Sequence, residues 1–416
     1  MRKATNLRQV LNFFDPELTL SGAEEMEDWY VARADSPRTE MAVLLQAVDK
    51  PQKFVFTGHR GSGKSTELVK LAAELADDFF VVRFSVKDVT DIADLDYADV
   101  VLGMAFELFR QATESRSKVK LSQTVLKGII EWFQGLGVGE IERKRSGGLQ
   151  GSLHVWAATL GGRYQQEITT RQKVRHTAQE VGQLSRLKEL LDYFIEDVQA
   201  KVGRRVLVMV EDLDKADLAK AHEIFYRHST TLTAPACSII YTFPIALRHD
   251  IDFVQIMHNY NENQSTLPSF PVNHRNDTPD TEGREFLKRI VTNRAEETLF
   301  EGKALDVLVE QPGGLPFQLV SLVRRAATFA LSRDVYQIDD QAAAQAVLNL
   351  RIGYQPLLNS GQLDLLRQVH KSKRLENDKE HRALLHNLSA LEYLNSQGVW
   401  YYVHPVVAPM LTNDGP

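Results

Sequence analysis

The feature that most constrains the fold is a glycine-rich segment after a short apolar run. Phe54, Val55 and Phe56 precede Gly58, and Gly63-Lys64-Ser65 follows Gly58 after four intervening residues. This spacing fits the phosphate-binding loop known as the Walker A pattern. Leu68, Leu71 and Leu75 then recur at helical spacing. The sequence therefore predicts a strand, a phosphate-binding loop and a helix in that order, although a chance glycine turn before a helix is the alternative.

The residue types in this loop suit a bound triphosphate. Its glycines allow backbone N–H groups to face the phosphates, and the following helix directs the positive end of its dipole to the same place. Lys64 is expected to reach the β- and γ-phosphates, and the Ser65 hydroxyl is expected to ligate Mg²⁺. We assign the whole loop to the nucleotide: Gly58, His59, Arg60, Gly61, Ser62, Gly63, Lys64, Ser65 and Thr66.

A second segment supplies the acidic residues that such a site needs. The apolar run from Val206 to Val210 precedes Glu211 and Asp212. This Walker B pattern is typical of a buried parallel strand that ends at a site. We assign Glu211 to the Mg²⁺ ion and Asp212 to the attacking water, and the reversed assignment fits the pattern too. We expect Asp214 to cap the next helix or to hold the loop.

A third buried strand is predicted before Pro244 and carries a polar residue near its end, Thr242. We assign Thr242 to sensing the γ-phosphate, an assignment that depends on strand order. Threonine is also common in strands for its β-propensity alone. Residues 267–272 are expected to form the last strand, at an edge or a bend because they contain two prolines.

Helices dominate the rest of the chain. Helices are predicted at 285–294, at 304–310 and from Phe317 to about Leu331, and a Gly-Gly-Leu-Pro turn ends at Pro316. We expect a helical lid whose turn faces the site, with an ordinary interhelical turn as the alternative.

The C-terminal stretch is expected to be a separate module. Helices at 364–369 and 382–391 precede two strands around an Asn-Ser-Gln-Gly turn at 395–398. That order is typical of a winged helix. Its basic residues are largely offset by acidic neighbours, which favours a structural or protein-contact role over DNA binding. The basic residues are Arg367, Lys371, Lys373, Arg374, Lys379 and Arg382.

Two further stretches leave alternatives open. Residues 30–38 lead into the first strand and could contribute to an adenine pocket, or could simply form a packing helix. Residues 114–178 form an insertion whose 149–164 part could be a hairpin, an ordering loop or a partner surface. Basic residues follow at 171–176, where a solvated face is favoured over a nucleic-acid or partner contact.

Composition limits the class of protein. The chain has 416 residues, a formal net charge of −6 and one cysteine, Cys237. A single cysteine excludes an internal disulfide framework, and the negative charge argues against a whole-surface nucleic-acid binder. No apolar run approaches the ~20 residues that span a bilayer. With no signal-peptide pattern at residues 1–8, we expect no membrane contact and a cytoplasmic location.

Taken together, these pieces resemble the AAA+/STAND group of P-loop ATPases, near the origin-recognition ATPases and bacterial regulatory NTPases. The matching pieces are the two Walker patterns, the strand ending at Thr242, the turn at 313–316 and the winged-helix-like tail. The resemblance implies ATP-dependent switching or assembly. In STAND proteins a Gly-x-Pro turn of the lid approaches the nucleotide, and Gly314-Leu315-Pro316 is similar to it, so Pro316 is assigned to the nucleotide.

Two departures from the AAA+ pattern argue against a ring motor. Phe317 stands where AAA+ lids usually carry a sensor arginine. Residues 257–263, where a ring would supply an arginine finger, contain no arginine, although Arg248 and Arg275 flank them. A slow switch of the STAND kind suits the sequence better.

The expected fold is α/β, a P-loop NTPase parallel sheet flanked by helices, followed by a helical lid and a C-terminal winged-helix-like domain. The expected domains are an N-terminal segment (1–50), a P-loop NTPase domain (51–275), a lid (276–350) and the winged-helix-like domain (351–416).

The expected function is an ATPase that uses ATP and Mg²⁺. It would be a slowly hydrolysing switch that controls homo-oligomeric assembly or a separately encoded effector protein, as such proteins often do in bacterial stress or antiphage systems. An ATP-dependent DNA-binding protein of the initiator or transposition-regulator kind, with its C-terminal domain on DNA, is the alternative. A scaffold with a structural nucleotide is a third hypothesis. The absence of an Asn-Lys-x-Asp guanine-recognition element favours ATP over GTP.

Overall fold

The structure is a computed structural model that describes residues 2–18, 20, 22–113, 183–395 and 398–412, together with 119, 122–125, 127–128 and 131. The predictions for residues 149–164 and 171–176 lie outside the described residues. Within the described part, no helix is both long and apolar enough to cross a membrane.

A parallel five-stranded sheet forms the centre of the N-terminal half. Its strand order is β2-β3-β4-β1-β5, so β4 lies between the strand before the P-loop and the strand with the Walker B acids. Phe56 of β1 is paired with Thr242 of β4, and Val210 of β3 with Tyr241 of β4. The strands are β1 (Lys53–Gly58), β2 (Phe79–Ser85), β3 (Arg205–Glu211), β4 (Ser238–Pro244) and β5 (Gln264–Thr266).

Helices cover both faces of this sheet because alternate strand residues point to opposite sides. Val208 and Val210 of β3 belong to one core with α5 and α6, whereas Leu207 and Met209 belong to another with α3 and α4. Near-continuous apolar strands are what a sheet buried on both faces requires. The helices are α1 (Leu7–Phe13), α2 (Ala23–Trp29), α3 (Arg38–Ala47), α4 (Lys64–Glu74), α5 (Tyr97–Thr113) and α6 (Gln183–Val202).

Short helices connect β3, β4 and β5. They are α7 (Leu218–His222), which continues as a π-helical turn (Glu223–Arg227), α8 (Ser229–Thr233) and α9 (Phe253–Asn259). The last strand differs from the sequence prediction. β5 ends at Thr266, and residues 267–272 are irregular, because Pro268 and Pro271 have no N–H to donate to a neighbouring strand.

The lid helices and the C-terminal module share a hydrophobic core with the first helix. Val10 of α1, Leu322 of the lid, and Leu384 and Val403 of the C-terminal module all belong to it. The lid helices are α10 (Thr281–Arg294), α11 (Ala304–Glu310), α12 (Pro316–Ser332) and α13 (Asp340–Tyr354). The expected boundary between the lid (276–350) and the winged-helix-like domain (351–416) therefore falls within one core, and the expected domain boundaries remain predictions.

The C-terminal module consists of two helices followed by an antiparallel hairpin, in the predicted order. Its elements are α14 (Ser360–Ser372), α15 (Lys379–His386), β6 (Ala390–Asn395) and β7 (Gly398–Val403). The second helix ends earlier than the sequence predicts. Leu388 has a φ of 66°, a left-handed conformation that ends the helical path, and Leu391 belongs to β6.

Candidate functional site

A cavity of about 810 Å³ opens at the carboxyl ends of the strands, between the sheet, the N-terminal segment and the lid. Most of the residues that the sequence assigns to the site line this cavity. They are Arg60, Gly61, Ser62, Gly63, Lys64, Ser65, Thr66, Glu211, Asp212, Thr242 and Pro316. Gly58 and His59 do not line it.

The P-loop adopts a path that only glycine follows without strain. Gly61 and Gly63 have φ values of 79° and 101°, in the left-handed region. A Cβ atom at Gly61 would lie 2.7 Å from Cβ of Phe317 in the lid. The Phe317 N–H donates to the Gly61 carbonyl at 3.1 Å. The lid helix α12 therefore begins directly against the P-loop, as the sequence predicts for the turn that ends at Pro316.

A second glycine fixes the lid turn. Gly314 has a φ of 81°, and a Cβ atom there would lie 1.7 Å from the Phe270 carbonyl oxygen. The turn is thus packed against the segment that follows β5, which leaves no room for a side chain.

Lys64 is held by three oxygens. Its ammonium donates to the Gly58 and His59 carbonyls at 2.9 Å each and forms an ion pair with Asp214 at 2.9 Å. Asp214 is buried, so the pair is shielded from water. The sequence predicts that Asp214 caps the next helix or holds the loop. Asp217 is the residue that caps α7, and Asp214 pairs with Lys64 of the P-loop. Only the proximity of Asp214 to the Walker B acids could have indicated this role.

Glu211 lies beside Arg83 and Ser65. Arg83 donates to its carboxylate at 2.7 Å, and the Ser65 hydroxyl is near enough to lower the pKa of the same carboxylate. Burial raises the pKa of Glu211, and Arg83 and Ser65 offset part of that effect. A serine hydroxyl beside a carboxylate is an oxygen set that suits Mg²⁺. Ser65 and Glu211 therefore fit the predicted metal site, where the ion would neutralise phosphate charge.

Asp212 lies just beyond Glu211 in a different environment. Its φ is 68°, the Ser85 hydroxyl donates to it at 2.7 Å, and Lys215 lies at 2.5 Å. Burial acts to raise the pKa of Asp212, but the hydrogen bonds from Lys215 and Ser85 outweigh it, and the pKa lies below its usual value. Asp212 is thus an ionised acceptor at the cavity wall. Neither Ser85 nor Lys215 could be identified as its partner from the sequence pattern.

Thr242 lies on β4, between the two Walker strands, which is the strand order that its assignment needs. Its hydroxyl accepts from the Leu213 N–H at 3.1 Å and so joins β4 to the turn after β3. Its role as a γ-phosphate sensor remains a prediction.

The N-terminal segment forms the far side of the cavity. Tyr30 donates to Glu67 at 3.0 Å. Arg33 donates to the Ser62 carbonyl at 3.2 Å and lies 3.9 Å from the Phe270 ring centre. Residues 30–33 therefore connect the P-loop with the region after β5, in the place that the adenine-pocket hypothesis requires. That hypothesis remains a prediction.

The C-terminal module contacts the P-loop through the side chains of His59 and Arg60. The Glu392 N–H of β6 donates to Nε2 of His59 at 2.6 Å, and Arg60 contacts the imidazole of His386 at the end of α15. Burial lowers the pKa of both histidines to about 4, so both are neutral near pH 7. Neither contact could be predicted, because His59 and Arg60 occupy positions that the loop pattern leaves free.

The Glu392 side chain extends this contact to the end of β4. Its carboxylate accepts from Arg248 at 2.6 Å, lies 2.9 Å from His249 Nε2 and accepts from the Tyr401 hydroxyl at 3.2 Å. Although burial acts to raise the pKa of Glu392, these partners lower it below its usual value. The module is therefore joined both to the P-loop and to the segment after the predicted sensor strand.

The strand order decides the fold. A parallel sheet in which a third strand separates the P-loop strand from the Walker B strand, followed by a helical lid at the P-loop, is the AAA+ arrangement. The fold is that of an AAA+ type P-loop ATPase. The predicted fold class is thus confirmed.

Comparisons with known proteins found only distant likenesses. No protein-family model matches the chain, and no curated protein matches it. Cdc6p from Pyrobaculum aerophilum has 10% identity and a TM-score of 0.43, covering 96% of this chain and 95% of its own. The structure of the Aeropyrum pernix ORC2 protein (ADPNP-ADP complexes) has 10% identity and a TM-score of 0.44. The match covers 96% of this chain and 95% of the ORC2 chain.

The Thermotoga maritima RuvB Holliday junction branch migration motor is also similar, with 10% identity and a TM-score of 0.39 over 97% of this chain and 100% of its own. These likenesses are too distant to carry an argument about activity or partners.

Proposed function

We propose that this AAA+ protein is a slowly hydrolysing ATP switch of the STAND kind. In this proposal it is cytoplasmic, it binds ATP with Mg²⁺, and its nucleotide state controls homo-oligomeric assembly or a separately encoded effector in a bacterial stress or antiphage system.

The observation that carries the proposal is the contact between the C-terminal module and the P-loop. Arg60 lines the nucleotide cavity, yet its side chain also contacts a neutral imidazole, that of His386. A phosphate is a stronger partner for a guanidinium than a neutral ring, because the hydrogen bonds are then assisted by both charges. A triphosphate in the cavity therefore competes with His386 for Arg60 and weakens the hold of the module.

The ion pair of Lys64 with Asp214 supports the same reasoning. Both groups line the cavity, and Lys64 is the residue assigned to the β- and γ-phosphates. Phosphate oxygens would compete with the Asp214 carboxylate for the ammonium. The structure thus has two cationic side chains whose present partners differ from the ones that ATP would supply, which is what a bistable switch needs.

DNA binding receives less support. Three of the basic residues in the C-terminal module are engaged with acids: Arg367 with Asp364, Lys373 with Asp277 and Arg382 with Asp250. Cations paired in this way are less available for phosphate contacts. We therefore favour a protein-contact role for this module.

Mass photometry tests the proposed assembly. The conditions are no nucleotide, ADP, ATP, and ATP with the Asp212→Asn variant, all with Mg²⁺. We expect an oligomer to grow only with ATP and to persist longest in the variant. Equal masses in all four conditions would exclude assembly gated by nucleotide.

The Asp212→Asn variant should itself bind ATP with near-normal affinity and lose hydrolysis by roughly a hundredfold, because an amide cannot accept a proton from water. A phosphate-release assay and a binding titration measure the two effects. Asp364→Asn, on an exposed face of α14, is the control and should leave both unchanged. If Asp212→Asn abolishes ATP binding and Glu211→Gln does not, the two acidic roles are reversed.

A further inference from the structure

Part of the cavity lining combines aromatic and aliphatic side chains with one buried cation. Trp29, Phe286 and Ile290 line the cavity, together with Arg294, the last residue of α10. The ring centre of Trp29 lies 5.6 Å from the Arg294 guanidinium carbon. Among the described residues, the side chain of Arg294 contacts α2 and its own helix rather than the P-loop. Aromatic and aliphatic side chains of this kind suit a planar base.

Arg294 is a buried cation with few partners. It is 7% exposed, and its guanidinium donates to the Ile290 carbonyl at 2.9 Å. Among the described residues no carboxylate forms an ion pair with it, and burial lowers its pKa to about 10, so it is charged at neutral pH. A guanidinium has five N–H donors and no acceptor, and a buried charge without partners is destabilising. No N–H group of Arg294 is both fully buried and unpartnered, and Arg294 lines the cavity, so its remaining donors are open to a ligand there.

We propose that Arg294 is the base-recognising residue of the nucleotide site and donates hydrogen bonds to acceptor atoms on the edge of a purine base. The proposal rests on the proposed function, since it takes the P-loop end of the cavity as the phosphate site. Purine ring nitrogens and carbonyl oxygens are acceptors that a donor-only guanidinium can satisfy. Arg294 is then a specificity residue, distinct from the groups that hold phosphates.

The test compares ATP with inorganic triphosphate, which has no base. Affinities with Mg²⁺ are measured by calorimetry for the full chain, for Arg294→Met and for Arg325→Met. Arg325 lies on the exposed face of the lid helix α12, does not line the cavity and is the matched control. We expect Arg294→Met to lose about tenfold or more of its ATP affinity, the usual effect of removing a hydrogen bond from a charged donor, and to bind triphosphate as the wild type does. Arg325→Met should bind both ligands normally.

The outcomes separate this proposal from the proposed function. If the wild type binds ATP and Arg294→Met binds it equally well, base recognition by Arg294 is wrong and the ATP switch stands. If the wild type binds no ATP, both proposals fail. Should Arg294→Met fail to fold, Arg294→Lys keeps the charge but not the planar fork of donors. It should lose ATP affinity while keeping triphosphate affinity, and unchanged ATP affinity in that variant would contradict the proposal.

Discussion

Lys64→Ala is expected to lower the affinity for ATP by about a hundredfold or more, the largest single effect that the structure predicts. The ammonium is the cation assigned to two phosphates, and hydrogen bonds to charged groups each contribute about 1.5–3 kcal/mol. The substitution also leaves the Asp214 carboxylate buried without its partner, 2.9 Å from where the ammonium was. That carboxylate would repel the phosphates. Calorimetric titration with ATP and Mg²⁺ measures the loss.

A second substitution separates the two causes. Lys64→Ala combined with Asp214→Asn should recover part of the affinity, because the repulsion is removed while the lost phosphate bonds are not restored. Lys50→Ala, an exposed lysine before β1, should bind ATP normally. An ATP affinity within twofold of the wild type in Lys64→Ala would contradict the assignment of the phosphate site.

Acidification is expected to destabilise the fold strongly between about pH 6.5 and pH 4. Burial lowers the pKa of His59 to about 4 and that of His404 to about 3. Both lie below the value of an exposed histidine, so the unfolded chain binds protons that the folded chain excludes. The stability from these groups is complete above the unfolded pKa and is lost as pH falls toward the folded values. Each histidine contributes about 1.4 kcal/mol per pH unit.

Urea unfolding at several pH values measures this slope. His59→Gln keeps an acceptor for the Glu392 N–H but does not titrate. Its free energy of unfolding should therefore fall less steeply with decreasing pH than that of the wild type, by the contribution of one histidine. His258→Gln, on an exposed position of α9, should leave the slope unchanged. Equal slopes for His59→Gln and the wild type would show that His59 is not held neutral.

The sequence predicted the parts of the site that depend on local pattern. Gly61, Gly63 and Lys64 are identified by spacing alone, and the buried run before Glu211 marks the strand that ends beside them. The AAA+ order then brings Thr242 between the two strands. Such features follow from neighbouring residues, so a single sequence suffices to predict them.

The contacts between the P-loop and the C-terminal module could not be predicted in this way. His59 and Glu392 are 333 residues apart, and Arg60 and His386 are 326 apart. Nothing in the local pattern of either segment specifies the other, because the pairing is set by how the lid and the C-terminal module pack. Two predictions of local structure were wrong for local reasons. No strand forms at 267–272, because its two prolines lack an N–H. The helix predicted to reach 391 ends earlier, because Leu388 is left-handed.

Residue-resolved amide hydrogen exchange at Glu392 tests the central claim most directly. This N–H donates to His59 and not to the partner strand, so its exchange reports the contact between the P-loop and the C-terminal module. The account predicts slow exchange without nucleotide and with ADP, and exchange about tenfold faster or more with ATP and Mg²⁺ in Asp212→Asn. Equal protection of the Glu392 amide in all three states, under conditions where ATP binding is saturated, would contradict a switch that works through this contact.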